Sequence, residues 1–71
     1  MKPKPVSLIR RIAIRHGVPS QWIGNKRRDE VIFASLDWYD TRASLASLER
    51  KPDEAEAWND KRAELETAIL Y

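Results

Sequence analysis

Apolar residues recur along this chain at intervals of three and four, and nowhere do they alternate over a run long enough for a strand, so the pattern predicts an all-α protein. Glycines and prolines divide it into helical stretches. Ser7 is placed to cap a first helix that ends near His16, with Gly17 in the C′ position and Pro19 just beyond. On that helix Leu8, Ile9, Ile12 and Ala13 share one face and Arg10, Arg11 and Arg15 the other, so burying the first turns the arginines outward. Ile14 falls on the basic side, where the pattern assigns it no role. Ser20 is placed to cap a very short second helix, Gln21 to about Lys26, against which Gly24 counts by about 1 kcal/mol relative to alanine.

From Asp29 to Arg50 the composition is that of a long central helix with two apolar stripes. Val31, Ala34, Trp38, Leu45 and Leu48 form one, and Ile32, Leu36, Tyr39, Ala43 and Ala46 the other, leaving Asp37, Asp40, Ser44 and Ser47 for water. Two stripes require two sets of neighbours. Lys51, Pro52 and Asp53 end this helix and begin another, for which Asp53 and Glu56 have the spacing of a capping box. In the last helix Ala55, Trp58, Arg62, Leu65 and Ile69 recur as a heptad-like seam, which predicts an antiparallel helical hairpin. The expected organisation is one domain: an extended basic arm over residues 1–6, a basic helix-turn unit over 7–28 and an acidic helical hairpin over 29–71.

At 71 residues a single core rarely supplies more than about 3–5 kcal/mol without help. There is no cysteine and only one histidine, His16, so neither disulfides nor a metal site is expected to provide it. Self-association remains, and a homodimer is expected through the two long helices, with Trp38, Trp58, Leu65 and Ile69 at the interface. No apolar run approaches the roughly 18 residues that span a bilayer. Met1 to Pro5 lacks the apolar core of a secretory signal, so the expectation is a cytoplasmic protein with no membrane association.

Charge changes the picture more than composition does. Up to Arg28 there are eight cations and no carboxylate, whereas from Asp29 onward eleven carboxylates face five cations, a local −6 hidden within an overall +2. Such a split points the first segment at a polyanion or at an acidic protein surface. Lys26, Arg27 and Arg28 stand immediately before a helix, where each cation is unfavourable by about 0.3–1 kcal/mol unless an anion is near.

The stretch from Ile12 to Ile23 resembles the middle of a helix-turn-helix DNA-binding unit. Ala13 matches the small residue that lets two helices approach, Gly17 the left-handed turn, and Val18 and Ile23 the apolar residues that pack the second helix back. The pattern departs at Gly24 and at Lys26, where the family has an apolar residue. The resemblance implies that Ser20, Gln21 and Asn25 face base edges, that Lys26, Arg27 and Arg28 take phosphates together with Arg11 and Arg15, and that the Lys2–Pro5 arm enters a minor groove. The function expected from this reading is a small DNA-binding regulator or accessory protein.

A different class fits the same charges: a helical interaction module, an adaptor or inhibitor, that docks its basic face on an acidic protein with Trp22 as anchor. Enzymatic activity is not expected and no cofactor is implied. The chain has no glycine-rich phosphate loop, no His/Glu metal spacing and no partnered serine or carboxylate to which a catalytic role can be given.

Overall fold

A computed structural model describes residues 4–71, which form four helices and, among the described residues, no strand. They are α1 (Val6–Arg15), α2 (Ser20–Ile23), α3 (Arg28–Leu48) and α4 (Pro52–Leu70). Lys2 and Pro3 of the expected basic arm lie outside the described residues.

Helix α1 starts one residue before Ser7. Pro5, extended at φ −68° and ψ 157°, takes the cap position, and its carbonyl accepts from the amides of Leu8 and Ile9. The other end is as the sequence predicts. Gly17, at φ 104°, lets the Val18 amide reach the Ala13 carbonyl at 3.0 Å and the Gly17 amide reach Ile14 at 3.0 Å, the paired bonds of a Schellman stop. The hydrophobic residue that follows such a stop is Val18, and it is buried.

Helices α3 and α4 make the hairpin and run antiparallel. Arg28 and Leu70, at the start of one and the end of the other, line one groove, and Trp38 meets Trp58 further along. The joint between them repeats the α1 stop without glycine. Lys51 donates to Ala46 at 2.9 Å and Arg50 to Ser47 at 3.0 Å, and Arg50 itself occupies the left-handed region at φ 59°. Pro52 then opens α4 with Lys51 at the cap position; no side chain caps this helix, so Asp53 and Glu56 do not form the expected box. Proline's fixed φ suits the first helical position, and the fold uses that in place of a side-chain cap.

The two stripes expected on the central helix become one seam. Val31, Ser35, Tyr39, Ala43 and Ala46 are the buried positions of α3, so Val31 shares a face with Tyr39 rather than with Leu45 and Leu48. Leu48 is 80% exposed. The reason lies in the neighbours: among the described residues the side-chain hydrogen bonds that join the N-terminal unit to α3 reach no further than Tyr39, and the second half packs on α4. Ser35 is fully buried because its hydroxyl is satisfied by the Val31 carbonyl at 2.6 Å, a local bond that lets a small polar residue pass as a core residue. On α4 the heptad-like seam is as predicted, with Leu65 and Ile69 buried and Ala55, Trp58 and Arg62 half-buried.

Ile9 and Ala13 from α1, Val18 from the turn and Ile23 from α2 close this core over the first half of the hairpin. Tyr39 lies at its centre. Its ring meets Trp38 edge-on at 5.0 Å and Trp58 at 5.9 Å, and its hydroxyl donates to the His16 carbonyl at the end of α1. Burial, and secondarily the Glu64 carboxylate, push the phenol above its ordinary 10.0.

The α3–α4 joint and the Tyr39 contact each have a measurable signature. A non-glycine residue in the left-handed region costs about 1 kcal/mol or more, so Arg50→Gly, after allowance for glycine's greater unfolded-state entropy, is expected to stabilise the protein by about 0.5–1 kcal/mol. The urea midpoint of the variant should move up. Tyr39→Phe removes a bond that serves the α1 terminus and is expected to cost about 1–2 kcal/mol at neutral pH. Because the native phenol holds its proton where the unfolded one has lost it, its contribution is constant below about pH 10 and falls as pH rises beyond. Thermal melts of the two proteins should therefore converge on the alkaline side.

Candidate functional site

The basic N-terminal unit is built by three polar bolts that the sequence pattern does not reveal. Arg10 Nη2 donates to the Lys26 carbonyl at 2.8 Å and holds the turn before α3 against α1. Arg28 Nε donates to the Lys4 carbonyl at 2.8 Å and holds the chain entering α1 against the start of α3. Trp22 Nε1 donates to the Ala34 carbonyl at 2.8 Å and fastens α2 along α3. Backbone carbonyls accept in all three cases, so these bonds set the positions of Arg10 and Arg28 without themselves neutralising either guanidinium.

Around this frame Arg11 and Arg15 are exposed on the side of α1 opposite Ile9 and Ala13, as the helical pattern predicts. Lys26 and Arg27 are exposed in the turn and at the cap position of α3. Among the described residues no ion pair involves Arg11, Arg15, Lys26 or Arg27. Arg28 differs from them: it lies inside α3, is half-buried and approaches Asp29 at 3.4 Å. The expected set of phosphate ligands thus divides into four free cations and one positioning residue.

The expected second helix is shorter than its sequence implies. It stops at Ile23, where Gly24 at φ 37° and ψ −131° turns the chain away, and Ser20 is its first residue rather than its cap. Gln21 is exposed on this single turn, but Asn25 lies in the turn after it. The two amides therefore do not share a helical face. Gly24 decides this: a residue without Cβ has the least to lose by leaving the helix.

The expected partner-interface residues have intramolecular roles. Leu65 and Ile69 are buried within the single chain and offer no surface to a second subunit. Trp38 and Trp58 stack edge-on at 5.6 Å and are half-buried, with Arg42 over the first ring at 5.1 Å and Lys61 over the second at 5.2 Å. Trp22 remains partly exposed although its indole N–H is used. Two residues of interest escaped the pattern. Arg10 has no sequence signal that separates it from Arg11, whereas Phe33 has one, since it belongs to neither apolar stripe and is 71% exposed.

No family model, curated protein or solved structure matches this chain. Among the described residues no helix is long and apolar enough to cross a membrane, and no group of three or more His, Cys, Asp or Glu side chains is placed to hold a metal ion.

The Trp22 bolt is open to a direct check. Trp22→Phe keeps the ring against α3 but leaves the Ala34 carbonyl without this donor, and is expected to lower stability by about 0.5–1.5 kcal/mol in urea unfolding. An unchanged midpoint would mean that the indole N–H does not hold α2.

Proposed function

We propose that this chain is a small DNA-binding protein that grips the phosphate backbone with its basic N-terminal unit. The observation that carries the reading is the set of four exposed cations, Arg11, Arg15, Lys26 and Arg27, which no carboxylate of the described chain neutralises. Such residues sit uneasily beside one another without an anion, and a phosphate backbone supplies one at regular spacing. Arg10 and Arg28 act as positioning residues: by tying Lys26 and Lys4 through their carbonyls they fix where the free cations stand, so less order has to be created on binding. Gln21 is the exposed amide nearest to a base-reading role, but a single helical turn presents too few side chains to a major groove for much discrimination. Affinity in this reading comes mainly from phosphates and sequence preference is shallow.

One observation favours the second class. Leu8, expected on the buried face, and Ile14 are both exposed on α1 beside Arg11 and Arg15, and aliphatic side chains add nothing to phosphate binding. An acidic protein surface with an apolar centre would use both.

Salt separates the two. Four phosphate contacts imply a log–log slope of roughly −3.6 for binding to random duplex DNA, and the Lys26→Ala/Arg27→Ala variant is expected to reduce its magnitude by about 1.8. Filter binding over a series of salt concentrations measures both slopes. A normally folded double variant with the wild-type slope would remove the turn from the site, and no binding to duplex DNA at low salt would transfer the reading to a protein partner.

A further inference from the structure

We infer that copies of this chain associate head to tail, the outward face of α1 of one copy seating in the α3–α4 groove of the next. This goes beyond the DNA reading and does not depend on it.

The groove is an apolar floor within a charged rim. Ile32, Phe33, Leu36 and Leu70 line a hollow of about 510 Å³, and a second of about 470 Å³ continues it, sharing Phe33 and Leu36. Neither α1 nor α2 contributes a residue to either, although the second hollow borders α2 at Ala34 and Asp37, which also line a smaller hollow with Gln21, Trp22 and Lys26. Phe33 and Leu70 are largely exposed there, an arrangement that leaves large apolar side chains in water unless something covers them.

Charge identifies the covering group. The rim carries four carboxylates, Asp29, Asp37, Asp40 and Glu66, against two arginines. Both arginines are already engaged, Arg28 with Asp29 at 3.4 Å and Arg62 with Asp40 at 2.8 Å and Glu66 at 2.9 Å. The rim is therefore negative, and Asp37 has no ion pair among the described residues. Pairing two such grooves about a two-fold axis would set negative rim against negative rim, which electrostatic complementarity disfavours. The occupant has to be apolar and basic.

The outward face of α1 has that character. Leu8 and Ile14 are exposed there, at 37% and 49%, with Arg11 and Arg15 beside them. The dimensions are compatible: ten residues of α1 extend about 15 Å, and the groove from Asp29 to Asp40 along α3 extends about 18 Å. This gives Ile14, an isoleucine with no place in the core, a partner in Phe33 of the next copy. The donor face on α1 and the acceptor groove on the hairpin share no residue, so the contact is heterologous. It does not close on itself in a dimer, and it extends into a chain or a ring.

Sedimentation of the whole 71-residue chain at low salt tests the inference. Species larger than a dimer are expected to grow with concentration and to shrink as salt is added. Phe33→Arg in the groove and Ile14→Glu on α1 both alter exposed positions, and each is expected to weaken association by roughly tenfold or more while circular dichroism stays that of the wild type. The decisive arm mixes them. Phe33→Arg retains an intact α1 face and Ile14→Glu an intact groove, so together they should form a one-to-one pair that goes no further. Asp37→Lys, which leaves the apolar floor intact, should weaken association more at low salt than at high. A wild-type monomer at millimolar concentration would overturn the inference. So would a dimer that stops growing, or a mixture that associates no more tightly than either variant alone.

Discussion

The contact between the Tyr39 hydroxyl and the His16 carbonyl sets the relation between the two halves of this molecule. His16 is the last residue before the α1 stop, where helical carbonyls lose their partners and need outside donors. A donor for one of them comes from the middle of α3, out of the aromatic cluster that Tyr39 shares with Trp38 and Trp58. The end of α1 is thereby fixed over the hairpin core, and the turn that begins at Gly17 takes its direction from that point. Val18 and Ile23 can then be buried beneath the turn and α2.

With the α1 terminus fixed, the remaining polar bolts decide which cations stay free. Arg10 and Arg28 both donate to backbone carbonyls of residues that are themselves lysines, Lys26 and Lys4. The arrangement needs no acid in the segment, because a carbonyl oxygen satisfies a guanidinium without neutralising it. Arg62 shows the contrasting use of the same side chain. On the α3–α4 hairpin it is held between Asp40 and Glu66 and its charge is fully answered. The linear charge split of the sequence is in this way preserved in space as a basic N-terminal unit and an acidic groove on the hairpin.

The helices are legible in the sequence because their causes are local. The α1 stop at Gly17, the joint at Pro52 and the seam through Leu65 and Ile69 each follow from residue types at fixed offsets. What sequence reasoning misses depends on tertiary coverage. Nothing in the repeat of apolar residues says that α1 and α2 stop short of Leu45 and Leu48, which is why the pattern predicts two stripes where one seam is buried. Ser35 belongs to neither apolar stripe, yet it is buried, with its hydroxyl on the Val31 carbonyl. The helix-turn-helix resemblance assigns Ala13, Val18 and Ile23 to packing, and these are buried; it assigns Gly17 to the turn, where its φ is 104°. It misleads about length, because Gly24 ends α2 after a single turn. Its DNA-binding implication therefore rests on charge and not on a recognition helix.

DNA binding and self-association, as proposed, draw on the same outward face of α1 and therefore compete. Arg11 and Arg15 cannot reach a phosphate backbone while they are seated in the acidic groove of another copy. Anything that occupies one site in exclusion of the other lowers the second affinity by linkage, and the effect is reciprocal. DNA would then release copies from one another, and crowding copies together would release DNA. Lys26 and Arg27 stand outside the α1 face, so the competition is partial. On the counterion-release argument, every phosphate that a cation gives up takes its own salt dependence with it, so the balance between the two states shifts with ionic strength as well as with concentration. The aliphatic pair Leu8 and Ile14 gives self-association a component that salt does not screen, which phosphate binding lacks. Under the two proposals, rising salt would therefore weaken DNA binding more steeply than the contact between copies.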